Sequence, residues 1–263
     1  MRFINAVFIL ALIPLFGSEI FRLLSIWYED PWSRHGILVP IMSFIIFKER
    51  WKIPCENEKF FRVAGLILLV LVSFLRYNLF YLSMEVMILS LMAFIFGYLL
   101  LFYPVQKVKK AIPSILFLIF LIPPNYYVIT YFGAKLSLLE ANLAIDILNG
   151  LGTDLSLKDT VILNEGVPMF YITPLCSSGE ILIPFFVFTA FIFLLPLQSL
   201  KRKTILSLSI LLLIPAINVM RLMLILLIAL NNMHLAQGVF HIFGGWLMFM
   251  ILMIVYLRVL AHE

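Results

Sequence analysis

Long apolar runs set the pattern of this chain, and each can be tested against the roughly 20 residues needed to cross about 30 Å of hydrocarbon. They fall at approximately 3–26, 36–47 with its flanks, 63–82, 86–103, 111–130, 181–198, 204–230 and 239–257. This predicts an all-α polytopic membrane protein of about eight transmembrane helices. The first run could serve as a signal sequence, but it lacks a small-residue cleavage site and leads straight into further apolar spans, so it is expected to stay.

One polar stretch, 131–180, is too long to be a connector and is expected to carry structure of its own within the single membrane domain 1–263. Leu136, Leu139, Leu143, Ile147 and Leu148 recur at helical spacing before Gly150 and Gly152, which predicts a helix lying on the membrane surface. Thr160-Val161-Ile162-Leu163 and Val167-Pro168-Met169-Phe170-Tyr171-Ile172 flank Asn164-Glu165-Gly166, which predicts a hairpin around a glycine turn. Pro168 confines the second strand to an edge. The insert is therefore a small extracytoplasmic helix plus hairpin.

Charge fixes the expected sidedness. Arg2, Lys48, Arg50, Lys52, Lys59, Arg62, Lys107, Lys109, Lys110, Lys201, Arg202, Lys203 and Arg258 all fall in alternate loops or at the ends, 13 of the 19 basic residues. The 131–180 stretch instead carries Glu140, Asp146, Asp154, Asp159, Glu165 and Glu180 against Lys135 and Lys158. By the positive-inside rule both termini are cytoplasmic and the insert faces out. Composition agrees with a multi-pass protein of the cell membrane: 63% of residues are hydrophobic and 13% charged, with a mean hydropathy of +1.10. The net charge of +5 reflects topology and anionic headgroups; with no basic stripe interleaved with aromatics, nucleic acid is not an expected partner.

The chemistry sits where the insert meets the sixth run, in Thr173-Pro174-Leu175-Cys176-Ser177-Ser178-Gly179-Glu180. Ser177 and Glu180 have capping-box spacing, so a helix is expected to start just after Cys176 and to turn its first N–H groups toward the sulfur, favouring thiolate. Cys55 lies in a basic loop on the opposite side, beside Pro54, and is read as incidental. Arg221 lies about ten residues, roughly 15 Å, from the Asn231-Asn232 break. A charge at that depth costs about 2.5–3.5 kcal/mol and usually faces a partner in the bundle interior; pairing with carbonyls near Pro215 is the plain alternative. Asn218, one turn earlier, either orients the guanidinium or serves as interhelical glue. His241 opens the last run: a tight turn near Asn231 brings it to the depth of Arg221, and a looser one leaves it nearer Cys176. His35 opens the second run on the outer side, as a second imidazole for the same cavity or as an interfacial anchor. Nothing in the chain supports a nucleotide, zinc or other metal site, and no cofactor is expected.

Taken in order, His35-Gly36-Ile37-Leu38-Val39-Pro40, Cys176-Ser177-Ser178-Gly179, Asn218-Val219-Met220-Arg221 and His241 make the chain resemble the exosortase and archaeosortase family of membrane transpeptidases. The family commonly has glycine two places after the cysteine; here Ser178 stands there and Gly179 follows. The resemblance implies an active set of Cys176, Arg221 and His241; Ser177, Ser178, Gly179, Asn218 and His35 are expected to bind substrate or support that set. It also implies a substrate class: exported proteins ending in a short motif, a hydrophobic helix and a basic tail, transferred to an acceptor such as a membrane lipid. A rival reading is a transporter or lipid-handling protein in which Arg221 binds an anionic group, although no repeat relates the two halves. A scaffold without chemistry is the third.

Overall fold

The computed structural model describes residues 2–54, 59–78, 83–124, 128–196, 199–236, 250, 251, 254 and 258. The chain is mostly helical and divides into two compact units, Met1–Pro124 with Val187–Gln198, and Asn125–Phe186 with Ser199–Glu263.

The first unit holds helices α1 (Arg2–Glu29), α2 (Val39–Trp51), α3 (Arg62–Asn78), α4 (Met84–Phe102) and α5 (Val105–Phe117). Helices α3 and α4 meet at glycines: a Cβ on Gly65 would lie 2.6 Å from Leu101 N and 2.8 Å from Gly97 O. Backbones this close gain the van der Waals contact that holds helices together where lipid removes the hydrophobic drive. A 3-10 turn, Pro31–Ile37, joins α1 to α2. Asp30 caps it by accepting from Trp32 N at 3.1 Å and from the Ser33 hydroxyl. Lys107 Nζ donates to Trp51 O at 3.3 Å, and Lys110 Nζ donates to Ile53 O at 2.9 Å, so the basic start of α5 satisfies carbonyls at the end of α2.

Arg76 is a buried cation that the sequence reading passes over. Its Nη2 donates to Leu15 O at 3.0 Å, and its guanidinium lies 5.1 Å from the centre of the Phe16 ring.

The second unit begins with a π-helical stretch, Val128–Gly133, that runs into α6 (Ala134–Gly150). Gly152, at φ 101°, takes the left-handed turn that lets the chain leave the helix. Asn149 then fastens α6 to the sheet, its Oδ1 accepting from Leu155 N at 2.8 Å and its Nδ2 donating to Leu155 O at 2.7 Å. The expected two-stranded hairpin is an antiparallel three-stranded sheet, β1 (Leu155–Lys158), β2 (Val161–Asn164) and β3 (Val167–Tyr171), in that order. The β2–β3 turn is the expected one: Glu165 and Gly166 have φ of 50° and 79°, the pair of positive values that a two-residue hairpin with native twist requires. Pro168 does lie on an edge strand, beside a register irregularity at Ile162/Leu163. Leu157, Ile162 and Phe170 form one row across the sheet. Ile162 and Phe170 from that row enter the core with Leu148 of α6 and Leu222 and Leu226 of α8 (Leu200–Asn231).

One expectation about spans changes. Among the described residues, three helices are long and apolar enough to cross a membrane, Met84–Phe102, Val128–Gly150 and Lys203–Asn231; the helix α7 (Gly179–Leu194) is apolar but shorter. The run 111–130 does not form one helix. It passes from α5 into a 3-10 turn at Leu118–Leu121 and is extended at Ile122, because Pro123 disfavours helical backbone in the residue before it. Helix α6 buries Ser137, Glu140, Ala141, Ala144, Ile145 and Leu148, while Leu139, Leu143 and Ile147 of the expected apolar stripe are exposed. The small and polar stripe packs against α8, and Leu148 joins the core.

Candidate active site

Helices α6 and α8 and the turn before α7, all in the second unit, supply the candidate residues. Pro174–Cys176 form a single 3-10 turn after β3, and α7 starts at Gly179. Cys176 is 1% exposed and belongs to the core cluster of the unit, with its Sγ 3.6 Å from Thr173 Oγ1.

The expected capping box takes a different form. Ser177 Oγ donates to Pro174 O at 2.7 Å and accepts from Gly179 N at 3.2 Å. Ser178 N donates to Glu140 Oε2 at 2.9 Å. The Ser177, Ser178 and Gly179 N–H groups ahead of α7 are thus committed to a carbonyl, a carboxylate and a hydroxyl, where the sequence reading turned the first N–H groups toward the sulfur. The cause is Glu140, which reaches this helix start from α6.

Asn218 and Arg221 come together with Cys176 on the same unit. One turn apart on α8, they share a face, and Arg221 Nη1 donates to Asn218 Oδ1 at 3.2 Å. Asn218 Nδ2 in turn donates to Cys176 O at 2.9 Å and to Glu140 Oε2 at 2.8 Å. Asn218 is 1% exposed and Glu140 0%. Arg221 is also buried. Both readings of Asn218 fit this geometry: it holds the guanidinium and it joins α8 to α6. The partner shown for Arg221 is this side-chain amide.

Glu140 escaped the sequence reading, which counted it only among the acidic residues of the insert. The available signal was the stripe Ser137, Glu140, Ala141, Ala144 at helical spacing, opposite the leucines.

His35 belongs to the first unit. It is buried, with Nδ1 3.0 Å from Trp32 O. Burial lowers its pKa below the ordinary 6.5, against smaller opposing effects from the Trp32 and Phe120 carbonyls and the charge of Asp30. The ring is therefore neutral at physiological pH. His241 lies outside the described residues. Among those residues, no group of three or more His, Cys, Asp and Glu is arranged to hold a metal ion.

A model of the transmembrane exosortase family matches residues 27–258, nearly the whole chain. The chain belongs to the transmembrane exosortase family. Comparisons with curated proteins and with solved structures return no match. The match extends across all four segments on which the resemblance was drawn, from His35 to His241. Exosortase membership makes this a membrane protein and points to a membrane transpeptidase acting on sorting signals.

Proposed function

We propose that this exosortase is a cysteine transpeptidase that cleaves a C-terminal sorting signal at the outer face of the membrane and transfers the protein to an acceptor, a membrane lipid or, by default, water. The observation that carries this reading is the single buried network in which Arg221 and the Cys176 turn are tied to one amide, Asn218. A nucleophile that generates an oxyanion is served by a guanidinium bonded to the same amide that holds its own backbone carbonyl.

In the proposed cycle the Cys176 sulfur attacks the carbonyl carbon of the scissile peptide as its proton passes to His241, and a tetrahedral intermediate forms. Arg221 stabilises the oxyanion. The Ser178 and Gly179 amides are already occupied by Glu140 and Ser177, which leaves the guanidinium as the positive group for this task. His241 returns its proton to the departing amine, the C–N bond breaks, and a thioester remains on Cys176. The acceptor then attacks the thioester, giving up its proton to His241 as the thiol leaves. Burial of Cys176 suits a substrate that arrives through the bilayer as a hydrophobic tail helix and carries its scissile bond into a water-poor site. There the charge on Arg221 acts more strongly than in water.

Both termini are assigned to the cytoplasm and the thiol to the outside. Supporting this sidedness within the first unit, the 48–54 segment and the start of α5, two segments rich in Lys and Arg, bond to each other, and Arg50 Nε donates to Leu194 O near the end of α7 at 2.8 Å. The test is co-expression with a tail-bearing protein from the same genome, following the mass of its C-terminus. Processing that stops with Cys176→Ala, His241→Ala and Arg221→Ala supports the cycle. Loss of function with Arg221→Ala but not with Cys176→Ala would instead favour a protein that handles an anionic group.

A further inference from the structure

Glu140 has no part in the cycle above, yet it is the most deeply buried ionisable group among the described residues of this unit, at 0% exposed. Both of its hydrogen bonds go to one oxygen: Oε2 accepts from Ser178 N at 2.9 Å and from Asn218 Nδ2 at 2.8 Å. The second hydrogen of Asn218 Nδ2 goes to Cys176 O at 2.9 Å. A backbone carbonyl is an acceptor only, and so is an ionised carboxylate. Two acceptors on the same side of the carboxamide require the amide nitrogen there. Oδ1 must then point the other way, where it receives Arg221 Nη1 at 3.2 Å. Without Glu140, only one bond to a carbonyl would fix the amide, and a turn of the terminal amide would set an N–H against the guanidinium.

Resting on the reading of Cys176 and Arg221 as the reacting pair, we infer that Glu140 is the positioning residue of the centre. Its Oε2 joins the start of α7 to Asn218 and fixes the carboxamide so that Nδ2 holds the Cys176 carbonyl and Oδ1 holds Arg221. The residue acts through Asn218.

The geometry makes a sharp distinction between substitutions. A glutamine at 140 offers one carbonyl oxygen with two lone pairs and can reproduce both bonds, because both converge on a single atom. A leucine fills a similar volume and reproduces neither. The experiment uses the full chain in membranes with the tail-bearing substrate, and each variant is normalised to folded protein. Glu140→Leu is expected to lower kcat by about 100-fold with KM within about threefold, since the loss amounts to a charge-assisted hydrogen bond and the orientation it enforces. Glu140→Gln is expected to restore kcat to within about tenfold of the natural chain. The Glu140→Leu/Asn218→Ala double variant is expected to be no slower than Asn218→Ala alone, because both changes break one linkage. Equal kcat for Glu140→Leu and the natural chain, or additive losses in the double variant, would overturn the role.

A second readout does not depend on turnover. In protein labelled with 15N at asparagine, the Asn218 side-chain NH2 signal, assigned by its loss in Asn218→Ala, is expected to resist hydrogen exchange in the natural chain and in Glu140→Gln but not in Glu140→Leu. Protection unchanged in Glu140→Leu refutes the positioning role by itself. If the natural chain processes no tail while the protection pattern holds, the transpeptidase reading fails and the role of Glu140 in fixing the amide stands.

Discussion

Arg76 and Arg221 are both arginines inside apolar helices, both less than one-tenth exposed, and the difference between them teaches how to tell a structural cation from a functional one. Arg76, on α3, donates to the backbone carbonyl of Leu15 and lies over the ring of Phe16. A guanidinium satisfied by a carbonyl and an aromatic face ties two helices together. Arg221, on α8, donates to a side-chain amide that is itself bonded to a carboxylate and to the carbonyl of a cysteine. Burial cost is common to both. What the charge is arranged against is not.

The largest test of that contrast is Arg221→Ala, which is expected to lower turnover of a tail-bearing substrate by about 10²–10³-fold, the range for losing one preformed oxyanion donor, while folded yield stays near that of the natural chain. Asn218→Ala comes next, at about 10–100-fold in kcat, because Arg221 remains but loses the amide that orients it. Arg76→Ala should do the opposite of both: turnover per folded molecule within about threefold, and unfolding stability in detergent lower by about 1–3 kcal/mol, the range for a hydrogen bond from a charged group. Should Arg76→Ala abolish turnover in well-folded protein, the contrast would fail.

The smallest effect belongs to His35. Burial lowers its pKa, so at pH 7.5 the ring is neutral both folded and unfolded and contributes no pH dependence. As pH falls below 6.5, the unfolded chain takes up a proton that the folded one resists, and stability drops. Stability to thermal unfolding should fall between pH 7.5 and 5.5, and His35→Gln should lose less over the same interval.

Parts of this architecture could be read without coordinates. The β2–β3 turn was legible because Glu165-Gly166 between two apolar runs admits the positive φ that such a turn needs. Asn218 and Arg221 were legible because a three-residue spacing on an apolar helix leaves little choice but a shared face. The end of α6 was legible in its glycines. Its packing face was not: the apolar stripe was read as lying against the membrane, and the face that meets the protein, Ser137, Ala141 and Ala144 around Glu140, carries no long apolar side chain to announce it. Glu140 therefore stayed among the acidic residues of the insert. Arg76 was hidden for a related reason, since a basic residue near the end of an apolar run reads as an anchor in the interface until its partner Leu15 is known. Strand β1 was missed because four residues give too little alternation to separate a strand from a linker.

The central claim is that the sulfur of Cys176 forms the bond that releases the sorting signal. Intact mass of a co-expressed tail-bearing protein tests it most directly. With the natural chain, the protein should lose its hydrophobic helix and basic tail. With Cys176→Ala, made at equal level and still folded, the tail should remain on every molecule. Continued removal of the tail by folded Cys176→Ala protein would contradict the account.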